Sequence, residues 1–299
     1  MYQKRTDLAT EARELWNESA AEKTVLSGVI AREYMRESCR VTHIQITDEQ
    51  GAKALHKPVG NYITVELGSL GEQGGFSDAV EAAAAELMPL LAPAEGGHVL
   101  VAGLGNRAIT PDAIGPAAIG QILVTRHLID HLPDMFGNLR PVSALSTGVL
   151  GTTGMESAEI IRGVVDRTKP AMVILIDALA SRSLSRLCTT IQLADTGITP
   201  GSGVGNSRAA LNRESLGVPV IALGVPTVVE AATLLADLSD EAGLPAPDEE
   251  LLKGFTGNLI VTPKDIDKNI AEIARVSAFA ANRALHPTLT QEEIAAYLA

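Results

Sequence analysis

The 299 residues, 46% of them hydrophobic, suffice for a large buried core. Acidic side chains outnumber basic ones 36 to 24, and the formal charge of −12 argues against general affinity for nucleic acid or an anionic membrane surface. The amino terminus "MYQKRTDLATEARELW" lacks the apolar stretch of a signal peptide, and the longest apolar runs, such as "AMVILI", are too short to span a bilayer, so a cytoplasmic protein is expected.

Taken in chain order, the apolar marks Leu8, Leu15, Trp16, Val25, Leu26 and Val29 predict a helix over 8–37. "RVTHIQIT" (40–47) and "NYITVEL" (61–67) alternate as strands, and "GSLGEQGG" (68–75) breaks the chain. Ser77 is placed to cap the alanine-rich helix "DAVEAAAAELMPLLA". From residue 98 the pattern becomes regular. Strand 98–104, helix 115–130, strand 141–146, helix 156–168 and strand 171–177 are followed by strands 188–194 and 218–223 and a helix over 226–239. Such alternation predicts an α/β fold with a mostly parallel central sheet flanked by helices, its chemistry on the loops after the strands. Residues 240–258 read as a loop or insertion, and 265–285 and 290–298 as terminal helices.

Cys39 and Cys188 are too few and too far apart for a disulfide framework or a zinc site, and are expected as buried thiols. One Trp and four Phe give no aromatic platform for single-stranded nucleic acid. No HExxH spacing occurs, and His127 and His131, four apart on a predicted helix, read as a helix face before a metal site; no metal or cofactor is expected. "GxSxG" is missing, and the six histidines share no motif with a serine. Glycine-rich loops ahead of helices suit phosphate, which keeps a phosphate- or nucleotide-binding protein as an alternative, but "GLGNRA" lacks the third glycine of GxGxxG.

Two aspartates stand out. Asp112, in "NRAITPDAIGP", precedes a helical pattern and reads either as a helix cap or as a catalytic acid. Asp177 ends the run "MVILI", where a buried charge must be paired, protonated or functional. The intervening elements are long enough to bring both to one sheet edge. Two close carboxylates cannot both ionise cheaply, so one holds a proton while the other acts as a base toward water.

The segments "RTDLATEARE", "GLGNRAITPDAIGP", "STGVLGTTGMES", "IDALASRSLSRLCTTIQLADTGITPGSGVGNSR" and "GVPVIALGVPTVV" together resemble the germination protease family of spore-forming bacteria, over about residues 4 to 285. The resemblance implies an endopeptidase of the forespore and spore core that degrades small acid-soluble spore proteins. It implies a fold related to hydrogenase maturation proteases, a homo-oligomer, expected as a tetramer, and a zymogen that processes itself. The aspartates of "TPDA" and "IDALA", regarded as the family's catalytic pair, match Asp112 and Asp177. Substrates of the family are cut between an acid and a hydrophobic residue, in a context that Asp7-Leu8-Ala9-Thr10-Glu11 reproduces. Processing is therefore expected between Asp7 and Leu8, in a single α/β protease domain over 1–299 with 1–7 as propeptide and 40–75 and 240–258 as additions. Asp7 as a helix cap with Leu8 in the core is the competing local reading. Arg182, Arg186 and Arg208 are candidates for reading the acid before the cut, or for bracing the aspartates or forming surface ion pairs. Gly201 and Gly203 of "TPGSGVGN" are candidates for lying along the substrate backbone or supplying N–H donors to the developing oxyanion, with a tight turn as the competing reading. A hydrogenase-type maturation endopeptidase is the nearest alternative.

Overall fold

The computed structural model describes residues 4–19, 26–202, 208–245, 248, 250 and 259–299. One nine-stranded sheet organises them. Its centre is a parallel block of β8 (Val220–Glu230), β6 (Met172–Ser181), β4 (Val99–Leu104) and β5 (Val142–Gly148), in that spatial order. This is the parallel sheet expected from the alternating pattern. Its inner strands are rich in Val, Ile and Leu because helices cover both faces; all six residues of β4 are buried, whereas the edge strand β5 is more polar.

On the free side of β8 the sheet continues antiparallel through β7 (Thr190–Ala194), β3 (Gly60–Glu66), β2 (Cys39–Ile46) and β1 (Val29–Arg36). The short β9 (Ile260–Val261) pairs with the far end of β8. Here the predicted helix over 8–37 is corrected. Among the described residues of that stretch, helix is confined to α1 (Ala9–Ser19), 20–25 lie outside the described residues, and Val29–Arg36 forms a hairpin with β2 through a turn in which Glu37 has φ 50°. Eight successive backbone pairings with β2 outweigh the helical spacing of the few apolar marks.

One face of the sheet is covered by α3 (Gly75–Leu90), α4 (Ile114–Ile119) and the long α8 (Ile266–Leu285), where Phe76 and Phe279 meet edge to face at 5.6 Å. On the other, α6 (Ser157–Thr168) buries Ile161 and Val165, while α1 and α2 (Glu49–Leu55) pack over the antiparallel strands. Both cysteines are buried and free. Three further boundaries differ from the expected ones. Helix α3 starts at Gly75 after a left-handed Gly74, so Ser77 lies inside it. The helix expected over 115–130 is split into α4 and α5 (Arg126–His131), with Gly120 ending the first. The helix expected over 226–239 is α7 (Ala231–Glu241), because β8 stays in the sheet through Glu230. Much of the expected loop 240–258, namely 246–247, 249 and 251–258, lies outside the described residues.

The parallel block places the two aspartates through close backbone packing. A Cβ on Gly115, in the first turn of α4, would lie 2.2 Å from the Leu104 carbonyl oxygen and 2.5 Å from that of Ile176. Only glycine lets α4 approach the ends of β4 and β6 so closely. Gly115→Ala is expected to destabilise the protein by about 1–3 kcal/mol, read as a lower urea midpoint at unchanged slope; an unchanged midpoint would show that α4 can move away freely.

Candidate active site

Asp112 ends a short 3₁₀ turn, Thr110–Asp112, in the loop that leaves β4. Its Oδ2 accepts a hydrogen bond from the Asn106 backbone N–H at 2.8 Å, and it makes no side-chain cap on α4, whose N-cap is Ala113. The loop around it is therefore turned inward: the Asn106 N–H goes to Asp112, and the Ala108 N–H goes to the Asn106 side chain at 3.0 Å. Gly105, at φ 106°, makes room, because a Cβ there would lie 2.1 Å from the Asp112 carbonyl oxygen.

Asp177 lies in the middle of β6, only 5% exposed, with its Oδ1 accepting from the Ala178 N–H at 2.9 Å. The two carboxyls thus keep separate backbone donors and couple through space. Burial pushes both upward from the ordinary carboxylate range. For Asp177 the rise is large; burial is its main cause, followed by the charge of Asp112, with Asp7 adding to it against the Ala178 hydrogen bond. Burial and the charge of Asp112 both favour the protonated form of Asp177.

Three residues beyond Asp177, about 10 Å along an extended strand, β6 receives the amino-terminal segment. The Asp7 N–H donates to the Ala180 carbonyl at 2.9 Å, and the Ala180 N–H donates back to Asp7 Oδ2 at 2.8 Å. Ser202 Oγ donates to Asp7 Oδ1 at 2.8 Å. From β7, Gln192 clamps the next peptides: its Nε2 donates to the Asp7 carbonyl at 3.1 Å, and its Oε1 accepts from the Ala9 N–H at 2.7 Å. Leu8 between them is fully buried, and its N–H donates to Thr6 Oγ1 at 2.9 Å. The Asp7–Leu8 peptide is therefore held on both sides, with a donor already on its carbonyl oxygen.

Glu11, fully buried, fixes the other end of this segment. It accepts from Ser181 Oγ (2.9 Å), the Arg182 N–H (2.6 Å), the Ser183 N–H (3.0 Å) and Arg186 Nη1 (3.1 Å). Upstream, Lys4 pairs with Asp237 and Asp240 at 2.5 and 2.7 Å, and Arg5 with Glu230 at 3.0 Å. A cavity of about 900 Å³ opens beside the segment, lined among others by Asp7, Lys57, Tyr62, Leu179, Gln192, Ser202 and Gly224. Gly224 is the register partner of Asp177, so the cavity reaches the strand beside the one that carries the aspartate, although neither Asp112 nor Asp177 lines it.

The three arginines are held by acids: Arg182 by Asp237 (2.8 Å) and Glu18 (3.0 Å), Arg186 by Glu14 (2.7 Å), Glu11 and Glu66, and Arg208 by Glu156 (3.3 Å). Gly201, at φ 74°, sits next to Ser202 and turns the chain toward Asp7, whereas Gly203 lies outside the described residues. Gln192, Lys57 and the donors around Glu11 are features that motif reading missed. Only Gln192 left a signal, as a polar residue within the apolar run of β7. Among the described residues no group of three or more His, Cys, Asp or Glu is arranged to hold a metal, and His131 Nδ1 contacts the His127 carbonyl at 2.7 Å.

A family model described as germination protease matches residues 9–241. The chain belongs to the germination protease family. Curated germination proteases are 48% identical in Caldanaerobacter subterraneus (97% of this chain, 96% of that one) and 42% identical in Clostridium perfringens strain SM101 (100% of both). The Bacillus licheniformis germination protease is 39% identical over 99% of this chain and 97% of its own. Among solved structures, the [NiFe] hydrogenase maturation protease HycI of Thermococcus kodakarensis aligns over 66% of this chain and 99% of its own, at 16% identity and a TM-score of 0.35. The protein is thus a protease of spore germination, and no helix among its described residues is long and apolar enough to cross a membrane.

In this germination protease, the buried aspartates give a testable signature. An acid whose folded-state pKa lies above its unfolded value adds stability that is complete below the ordinary carboxylate range and lost as pH rises through the raised value. Asp177→Asn keeps an oxygen for the Ala178 N–H and removes that loss. We expect it to raise the melting midpoint at neutral pH by about 2–4 °C and to flatten the fall of the midpoint with rising pH; an unchanged pH profile would mean the carboxyl is not held in its protonated form.

Proposed function

We propose that this germination protease is an endopeptidase that starts the breakdown of small acid-soluble spore proteins, cutting between an acidic and a hydrophobic residue. It is made as a zymogen that first cuts its own Asp7–Leu8 bond and works as a homotetramer in the forespore and spore core. The observation that carries this reading is the chain's own acid–hydrophobic pair. Asp7 and Leu8 lie between β6 and β7, with the bond's carbonyl oxygen on Gln192 and the Asp7 charge felt by Asp177.

In the mechanism that follows, Asp177 keeps the proton and Asp112 is the base. Asp112 takes a proton from a water as its oxygen attacks the peptide carbonyl carbon, and the developing oxyanion is met by a side-chain N–H such as that of Gln192. The proton held by Asp177 passes to the leaving nitrogen as the C–N bond breaks, and the proton gained by Asp112 restores the starting state of the pair. No covalent intermediate forms.

A singly protonated pair also predicts that self-processing accelerates as pH falls from neutral into the acidic range; a rate flat over that range would count against the pair. The decisive experiment incubates wild type, Asp112→Asn and Asp177→Asn with a purified small acid-soluble spore protein, followed by intact-mass and fragment mapping. Wild type should lose Met1–Asp7 and cut the substrate after acidic residues, with both variants slower by about 100-fold or more. If processed wild type leaves the substrate whole, the substrate assignment falls. If both variants cut normally, the mechanism falls while the protease remains.

A further inference from the structure

Among the described residues, Lys57 is a cation without a counter-ion in hydrogen-bonding contact. It follows α2, which is ended by a left-handed His56 (φ 52°) and by Pro58, and its own N–H is tied to the Ala52 carbonyl at 3.1 Å. That short, fixed turn commits the side chain to the cavity wall beside Asp7. Lys57 keeps some accessible surface, yet protein surrounds it so closely that burial pulls its pKa down, against the charges of Asp7 and Glu11. Asp7 and Glu11 act on it only through space. Removing a charge from water without a partner is costly, so a cation in this position implies an anion that arrives with a ligand.

The surroundings say which anion. The Asp7 carboxylate already uses the Ala180 N–H and the Ser202 hydroxyl. Loss of residues 1–7 would leave two hydrogen-bond donors around a vacated carboxylate place, with Lys57 in the wall of the same cavity. The arginines cannot take this part, since Arg182, Arg186 and Arg208 are each neutralised by acids of their own. Resting on the reading of the cavity as the site of acid–hydrophobic cleavage, we infer that Lys57 is the specificity-determining cation for the acidic residue on the amino side of the cut bond, with Asp7 as its first occupant. The Ala180 N–H and Ser202 Oγ supply the directional hydrogen bonds. Lys57 supplies the charge that separates a carboxylate from an equally shaped amide.

The test is a double-mutant cycle on the full chain, read as the rate of self-cleavage at 7–8 by intact mass: wild type, Asp7→Asn, Lys57→Met and both together, with Lys57→Arg as the charge-keeping control. Asp7→Asn should slow wild type by about tenfold or more and change the Lys57→Met rate by much less, while Lys57→Arg retains the acid preference. A structural role for Lys57 would instead lower the rate by the same factor whether or not Asp7→Asn is present, and such additivity would overturn the inference. So would a Lys57→Met protein that unfolds cooperatively yet cuts neither sequence, since Lys57 would then serve the chemistry itself. If Lys57→Met does not fold, Lys57→Gln replaces it with the same expectations. Absence of self-cleavage in wild type would sink the processing reading and the subsite with it, whereas cleavage with additive effects would sink the subsite alone.

Discussion

Everything in the site depends on a carboxyl placed where the sheet least tolerates one. Asp177 occupies β6 between β8 and β4, with apolar side chains from Met172 to Ile176 leading up to it. Only its Ala178 N–H bond offsets the burial that opposes its ionisation. A strand interior with no task would carry Val or Asn at such a position, because a carboxyl there loses stability as pH rises from the ordinary carboxylate range through its raised pKa. The surrounding backbone is adapted to it. Gly115 and Gly105 bring the loop with Asp112 close enough for one carboxyl to feel the other, and β6 continues past the aspartate to provide the edge on which a peptide can lie.

The amino-terminal segment answers this site from outside the parallel block. Its grip is graded: ion pairs at Lys4 and Arg5, backbone and carboxylate bonds at Asp7, a buried leucine, then five donors on Glu11, Thr6 Oγ1 among them. Partly exposed ion pairs contribute little each, while hydrogen bonds to a buried charge are the strong contacts. The anchors that matter most therefore lie at Asp7 and Glu11, on both sides of Leu8. This arrangement holds the peptide on both sides of the Asp7–Leu8 bond as well as at the bond itself.

The sequence was most readable where one structural level decided the outcome. The parallel strands were visible because burial on two faces writes itself as "VLVAG" and "MVILI", and Asp177 was visible as the exception within such a run. Asp112 was legible only as a choice between cap and acid, since capping residues and catalytic residues are the same residue types; the inward turn of Asn106 excludes the cap. The hairpin Val29–Arg36 was misread because a half-exposed strand at a sheet edge carries little apolar alternation, and its pairing with β2 is non-local information. The helix that follows β8 was set too early because strand length is fixed by the neighbouring β6 and β9 rather than by local propensity. Lys57 and Gln192 belong to no motif at all: their meaning comes from what faces them from distant parts of the chain, as with the Gln192–Asp7 bond.

The same separation in sequence explains how one cavity can serve a protein's own segment and a foreign one. The tethered segment is present at high effective concentration, so it fills the site even if each contact is modest. A substrate in solution has no such advantage and must gain its affinity from contacts that the tethered segment merely borrows. On the proposed processing, the contacts that recognise it therefore have to belong to the sheet and to the turn after α2, not to the segment that would leave. Ala180, Ser202, Gln192 and Lys57 meet that condition, as do the Ser181, Ser183 and Arg186 donors, since none of them belongs to the segment that is released. The basic residue Lys4 does not, because the proposed cut would take it away with the segment and leave Asp237 and Asp240 behind. On the proposed processing, removal of the segment would open the inferred acid-accepting subsite at Lys57 and, a few residues upstream, acids suited to a basic side chain. A peptide with basic residues ahead of its acid would satisfy both.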